Sequence, residues 1–593
     1  MTNETFKRLV RVAMLMVTVV VLALASVAVS AQRGASGEGD PNTDSDPCAQ
    51  SLRAQGQANG LHRRCEGNGG GGGVARGDFN ADGFGDLAVG VPFEDQDGIN
   101  AVGGVNIFYG STTGLTSTAD LFLDETNFGF IYASDDHFGV ALAAGDFNGD
   151  TFSDLAIGMP GGDIGSIESA GRVLLIDGSP SGLDMQTARN FTLLPSGRTA
   201  LAQAGQALVW ADFNADGYGD LAVGVPGAAV TVRHFIYYCV DLPFSAAGEV
   251  EVFYGGASGL TQLGAQRLFR NSNSCGSNVG IGTEVAQRDD RFGTALAAGN
   301  FNGDMLNDKP LFDLVIGTPH ASIVGIVPGI VHIVPGSVDG LKPRLTQELS
   351  QNTPGIGGGA ETGDQFGRAL AVGDFNADLR DDLAIGAPFE DLLDNTAADA
   401  GAVHVLFGSF TSGELVTTAD SLFISQTNLS GTSAETGDRF GWALATGRFN
   451  NDFRSDLAIG SPGEDINAIV NAGIVQVLYG SSSGLSLSTA QLWRQGAGGI
   501  PDAAEAGDQF GYALSAWNYG RSDRADLAIG SPFEDLISSS GLQVSDAGAV
   551  VLIYGSTSGL TATATNPAQF WHQDVSGVND SAQVGDRFGN SLY

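Results

Sequence analysis

The stretch Asp78-Phe-Asn-Ala-Asp-Gly-Phe-Gly-Asp86, followed at once by Leu87-Ala-Val-Gly-Val-Pro92, decides the architecture. Oxygen-bearing side chains stand at positions 1, 3, 5 and 9 of the loop (Asp78, Asn80, Asp82 and Asp86), and the apolar strand after it ends in Gly-x-Pro. Loops of the same kind begin at Asp146, Asp212, Asn300, Asp374, Arg448 and Asn518, and the strands after them end at Pro160, Pro226, Pro319, Pro388, Pro462 and Pro532. Working outward, a third strand alternates in period two and stops at glycine, as in Val105-Asn-Ile-Phe-Tyr-Gly110, Val403-His-Val-Leu-Phe-Gly408 and Val550-Val-Leu-Ile-Tyr-Gly555. A turn such as Ser111-Thr-Thr-Gly-Leu115 or Ser556-Thr-Ser-Gly-Leu560 follows, then a variable polar segment, and the next unit opens on Phe-Gly. Seven units over residues 74–593 give about 74 residues each, enough for four antiparallel strands and their connections.

Glycine-punctuated strands with no helical period predict an all-β array. Four-stranded sheets set radially protect most of their edges, whereas an open stack needs caps that this sequence does not show. The expected fold is therefore a seven-bladed β-propeller of four-stranded antiparallel blades over residues 74–593, with an open solenoid as the alternative. Phe-Gly openings fall at Phe138, Phe292, Phe366, Phe440 and Phe510, weakened to Gly205-Gln206 in one unit, and again at Phe588. The first unit has no opening of its own. Phe588-Gly-Asn-Ser-Leu592 is expected to supply it and close the ring; the competing reading makes these residues the start of an eighth unit.

Composition narrows the function. The 593 residues include 67 acidic and 28 basic ones, a net charge of -39, which repels nucleic acid and anionic lipid and attracts cations. With 42% hydrophobic residues the chain is too apolar for disorder, and its 87 glycines lack the every-third-residue period of collagen. Lys7, Arg8 and Arg11 precede an apolar run from Val12 to Val29 that ends in Val29-Ser30-Ala31, the pattern of a cleavable signal at residues 1–31; an uncleaved anchor is the alternative. A secreted or cell-surface location is expected, without stable membrane insertion after cleavage. Residues 32–73 read as a Gly/Ser/Asn-rich linker. Four cysteines in a chain expected to be exported allow three pairings; proximity favours Cys48 with Cys65 and Cys239 with Cys275, and none has the spacing of a zinc site.

The loops carry the chemistry. Calcium takes six to eight oxygens, and alternate carboxylates on a short loop can wrap one with a main-chain carbonyl and water added. In the first loop the position-7 carbonyl is that of Phe84, and Gly83 permits the sharp bend. Position 12, where an EF-hand has glutamate, is Val89 inside a strand, so the pattern is a β-hairpin calcium loop. The same ligands recur as Asp146, Asn148, Asp150 and Asp154, as Asp212, Asn214, Asp216 and Asp220, and as Asp374, Asn376, Asp378 and Asp382. Another loop reads Asn300, Asn302, Asp304 and then an insertion, with Asp308 or Asp313 to close it. Arg448 replaces the first acid of the next, beside Asn450, Asp452 and Asp456, and Gly520, Arg521 and Arg524 disrupt the last, which is expected to be empty. One such loop is ordinary turn composition, but copies in phase with a β repeat point to four to five structural calcium ions. Their role would be to relieve carboxylate repulsion and stabilise the fold.

The Phe-Gly openings, Gly-x-Pro turns and Asp-x-Asn-x-Asp-Gly-x-x-Asp loops resemble the FG-GAP repeats of the integrin α-subunit amino-terminal propeller and of related bacterial secreted proteins. The resemblance covers residues 74–593. It implies a seven-bladed propeller with structural calcium on one face and partner binding by loops elsewhere. No inserted adhesion domain or leg domain is found, and no room is seen for the phospholipase domain that some members carry.

Remaining features have a sharp and a bland reading. Arg76-Gly77-Asp78 spells a tripeptide that integrins recognise, but Asp78 is the first calcium ligand. Acidic pairs follow Gly-x-Pro at Glu94-Asp95, Glu390-Asp391, Glu464-Asp465 and Glu534-Asp535; they gather on one face for a cationic partner or metal, or are solvated turns. Phe108, Tyr109, Tyr479 and Tyr554 read as blade packing rather than sugar stacking. The seven histidines, His137, His234 and His404 among them, form no HExxH cluster, and no GK[ST] phosphate loop occurs. The expected function is a non-catalytic, monomeric adhesion or recognition scaffold for a protein or glycan. A secreted hydrolase or lyase acting at the central channel is the alternative.

Overall fold

The computed structural model describes residues 77–593 except 192, 194–198, 236–238, 272–279, 283–284, 324, 393–395, 412 and 539–540. The expected signal, the linker and the pairings of Cys48, Cys65 and Cys275 lie outside the described residues. Among those described, no helix is long and apolar enough to cross a membrane.

Seven antiparallel blades appear, each a strand pattern repeated along the chain. In blade 5 the strands Ala369–Gly373, Asp382–Ala387, Ala402–Gly408 and Val416–Ile424 pair in order, with Leu370 opposite Ile385, Ile385 opposite His404 and Val405 opposite Leu422. A bulge between Val405 and Phe407 turns the outer strand. The first strands of successive blades lie against one another, so they line the centre of the ring. Blade 3 departs from four strands: Gly280–Ile281 adds a short parallel strand outside Thr261–Arg270, and a hairpin of Val230–Phe235 and Cys239–Phe244 extends from it.

Among the described residues the core has seven large clusters, each formed by two adjacent blades, and three smaller ones. Blade 6 gives Phe449, Val477 and Trp493 to a cluster that blade 7 completes with Leu527, Ile529 and Ile553. Second-strand residues alternate between the two neighbours: Ile529 faces blade 6, while Ala528 joins Val550 against blade 1. Sheets buried on both faces need apolar residues at consecutive positions, which explains the unbroken runs before Gly-x-Pro. The two glycine signatures have one steric cause. A Cβ on Gly386, the glycine of Gly-x-Pro in blade 5, would lie 2.2 Å from the carbonyl oxygen of Gly441, the glycine of Phe-Gly in blade 6. Tyr479, Tyr554 and Phe108 are buried, and Tyr479 Oη accepts the Leu560 N–H of the next blade at 3.0 Å, so they pack blades together.

Ring closure is as expected. Ser591–Leu592 pairs with Gly90 and Val89 as the innermost strand of blade 1. Tyr593 exchanges two backbone hydrogen bonds of 3.0 Å with Ala88, and Gly77 accepts the Asp86 N–H two residues along the same edge. Blade 1 thus has a first strand built from both ends of the described chain. Phe588 is fully buried in the cluster between blades 7 and 1.

Candidate metal centres

Each of these loops joins the first strand of a blade to the second, so all seven emerge on one face. In the first loop Asp78 accepts the Asp82 N–H at 3.1 Å and the Gly83 N–H at 3.0 Å, Asn80 accepts the Asp82 N–H at 2.9 Å, and Asp82 accepts the Phe84 N–H at 2.9 Å. Loops 2, 3 and 5 repeat this scheme through Asp146, Asn148 and Asp150, through Asp212, Asn214 and Asp216, and through Asp374, Asn376 and Asp378. The bend at position 6 is left-handed whatever the residue: φ is 93° at Gly83 but also 81° at Thr151, 71° at Leu379 and 63° at Phe453. Glycine eases this bend without being required, and the side-chain hydrogen bonds hold it where strain must be offset. Asp78 is 9% exposed with both oxygens engaged, so it is not presented as a recognition tripeptide.

Position 9 has a second role that its residue type did not reveal. Asp86 accepts the Phe79 N–H at 2.8 Å and the Gly110 N–H at 3.0 Å, tying the loop to the end of the third strand. Asp154, Asp220, Asp382, Asp456 and Asp526 do the same in their blades. Asp313 makes this clamp in blade 4, bonding Phe301 and Gly336, which settles its place over Asp308. Because blades 6 and 7 keep the clamp, it serves shape even where the acid at position 1 is missing.

The loops also bind one another. The position-8 N–H donates to the position-1 carbonyl of the preceding blade: Ser153 to Asp78 at 3.1 Å, Gly219 to Asp146 at 2.7 Å, Asp381 to Asn300 at 3.1 Å and Ser455 to Asp374 at 2.9 Å. Ala525 continues the series to Arg448, and Gly85 to Asn518 crosses the closure.

Donor chemistry fits a hard cation. Burial, then crowding by nearby carboxylates against the pull of backbone N–H groups, pushes Asp154 up to about 8 and Asp212 up to about 6; Asp86, Asp220, Asp313 and Asp382 are raised well above the usual range, also by burial first. In loop 4 Asn300 Oδ1 and Asp304 Oδ1 are buried with no hydrogen-bond partner, while Asn302 accepts the Asp304 N–H at 2.8 Å. Among the described residues no three Asp, Glu, His or Cys side chains form a ready-made cage, so an ion here would need asparagine and main-chain oxygens as well.

The two altered loops carry their own cations. The Arg448 guanidinium lies in the field of Asp374, Asp452 and Asp456, so it reaches toward the neighbouring loop as well as its own. Arg521 bonds Thr113, Asn566 and Pro567 and stacks 3.8 Å over Tyr554. Arg448→Asp restores an acid at position 1 and is expected to add one calcium ion per chain, counted by mass spectrometry of the folded protein. An unchanged count would show that the arginine is not what excludes metal.

The acidic pairs after Gly-x-Pro are not solvated turns. Glu94, Glu390, Glu464 and Glu534 are buried, each accepting a hydrogen bond from a glutamine of the preceding blade's outer edge, Gln573, Gln351, Gln426 and Gln495. Their neighbours Asp95, Asp391, Asp465 and Asp535 instead brace the following loop through N–H bonds of 2.8–2.9 Å. The sequence could not show this because each glutamine lies 38 or more residues from its glutamate.

Four segments, residues 138–176, 204–235, 366–406 and 440–478, match the FG-GAP repeat, and they fall in blades 2, 3, 5 and 6. The blades, the loops and these matches define an FG-GAP β-propeller. Bovine phosphatidylinositol-glycan-specific phospholipase D is 33% identical over 243 residues, 41% of this chain and 26% of that protein. Integrin alpha pat-2 of Caenorhabditis briggsae is 30% identical over 273 residues, 44% of this chain and 19% of that protein. Human integrin alpha-8 is 28% identical over 338 residues, 55% of this chain and 26% of that protein. The chain thus spans about a quarter or less of the length of these relatives. It carries FG-GAP repeats and is an integrin-α-like FG-GAP propeller.

Proposed function

We propose that this chain is an extracellular, calcium-stabilised recognition scaffold that captures its partner at the central mouth opposite the loops. The carrying observation is a rosette of arginine and aromatic side chains. Arg368 stacks 4.4 Å over Trp442, and Arg587 lies 4.3 Å over Phe93 and 4.7 Å over Phe533. Trp442 and Tyr512 rings are 5.4 Å apart, and Tyr512 and Phe533 5.9 Å. These residues follow Phe-Gly, precede it or follow Gly-x-Pro, positions that the topology places at one end of the inner strands. In a chain of net charge -39 such a cluster concentrates positive charge and flat apolar surface, the pair of features that suits an anionic glycan or acidic peptide. Four to five loops would hold calcium through Asp78, Asn80, Asp82, Asp86 and the Phe84 carbonyl and their equivalents. When bound, the ion supplies charge neutralisation, and the clamping aspartates keep the loop in shape.

A glycan and cell-surface binding screen in calcium tests the reading. Arg368→Ala with Trp442→Ala is expected to weaken capture at least tenfold, as loss of interface anchors does. Undiminished capture would reject the rosette. Similarity to the phospholipase D supports the second reading, a hydrolase or lyase at the central channel, and product release in the same screen would favour it.

A further inference from the structure

We propose that four of the seven blade junctions, on the face opposite the loops, each hold a divalent cation of calcium type between a glutamate, an aspartate and a glutamine amide oxygen. The site rests on three equivalent positions: two residues beyond the outer strand's pairing with the third, two beyond the proline of Gly-x-Pro, and two before Phe-Gly. Between blades 4 and 5 these are Gln351, Glu390 and Asp364, all at most 5% exposed. Gln351 Nε2 donates to Glu390, and one Asp364 oxygen accepts the Glu361 N–H at 2.6 Å. Gln351 Oε1 is left buried and without a partner. The same arrangement, orphaned glutamine oxygen included, recurs as Gln426, Glu464 and Asp438, and as Gln495, Glu534 and Asp508. Between blades 7 and 1 it recurs as Gln573, Glu94 and Asp586, with the glutamine oxygen orphaned again.

The other junctions act as internal controls. Between blades 3 and 4 the strand register puts Arg270 where Gln351 stands, with Ala321 in place of the glutamate, and Arg270 Nη1 meets Asp290 at 2.6 Å with both residues buried. A side-chain cation there coincides with the loss of one carboxylate. Between blades 2 and 3 the three positions are Leu193, Ala228 and Ala202, all within one apolar cluster. Between blades 1 and 2 Glu125 and Asp136 face each other with Arg172 among their charged neighbours. At the four Gln-Glu-Asp junctions the charges that bear most on the glutamate are all carboxylates: Asp364, Glu361 and Asp391 on Glu390, and Asp508 and Asp502 on Glu534.

Two buried carboxylates with no cationic side chain must take up a proton or a cation. One shared proton would join glutamate to aspartate and leave the amide oxygen orphaned at every copy. A cation engages all three oxygens, and an all-oxygen donor set selects calcium, with main chain and water completing the shell.

The test counts calcium on the full chain after chelation and resaturation. Gln351→Leu with Asp364→Ala and Glu390→Ala copies the apolar junction, and Gln351→Arg with Glu390→Ala copies the arginine junction. Each is expected to bind one ion fewer than the unmodified protein, whereas Asp374→Ala reports separately on a loop. An unchanged count in a folded junction variant means a proton only and overturns the proposal. Anomalous diffraction from unmodified crystals grown in calcium needs no variant: a peak among Gln351, Asp364 and Glu390 supports the site, and its absence overturns it.

Discussion

Deleting residues 586–593 is expected to lower the melting temperature more than any single substitution in a blade. The deletion removes Phe588, fully buried between blades 7 and 1, and truncation of a buried phenylalanine alone costs about 3–5 kcal/mol. It also removes the Ser591–Leu592 pairing with blade 1 and the Ser591 hydroxyl's 2.6 Å bond to Gly139 of blade 2. Val89 and Leu87 would then be uncovered on an unpaired edge, so aggregation is expected alongside destabilisation. Phe588→Ala should show a part of the same loss. Calorimetry of the three proteins decides: a deletion that melts where the full chain does would mean that closure contributes nothing.

The second large effect is a reversal of pH dependence by calcium. Burial first, then neighbouring carboxylates, pushes Glu390 and Glu464 up to about 8 and Glu534 up to about 9, and burial pushes Asp154 and Asp456 up to about 8. The same side chains ionise near pH 4 in an unfolded chain. Between these limits the folded state holds protons that the unfolded state has released, so stability falls as pH rises. In chelator the melting temperature is therefore expected to climb by several degrees on going from about pH 8 to about pH 5. In saturating calcium the carboxylates are neutralised as anions and acid competes with the ion, so the slope should change sign. Parallel slopes in the two conditions would show that no cation neutralises these groups.

Much of this was legible in the chain because the repeat multiplies each signal. Seven blades, the phase of Phe-Gly and the closure by residues 588–592 follow from a period that a single unit could not establish. Less legible were roles that depend on distant partners. Asp456 and Asp526 look like remnants of degraded loops, yet each still clamps its blade through two backbone N–H groups. Glu390 looks like a solvated turn residue because the glutamine covering it comes from another blade. Arg448 reaches toward Asp374 in the adjacent loop, a neighbour that the spacing within its own loop does not indicate.

The seam in blade 1 also decides how the molecule would bear load. Gly77 and Tyr593 meet the same strand edge two residues apart, at Asp86 and Ala88. Tension applied through residues 77 and 593 would peel short contacts one after another at a single suture while the remaining blades stay out of the force path. A variant with those positions linked and new ends cut in an exposed connection should fold, and should resist pulling by shear instead of unzipping.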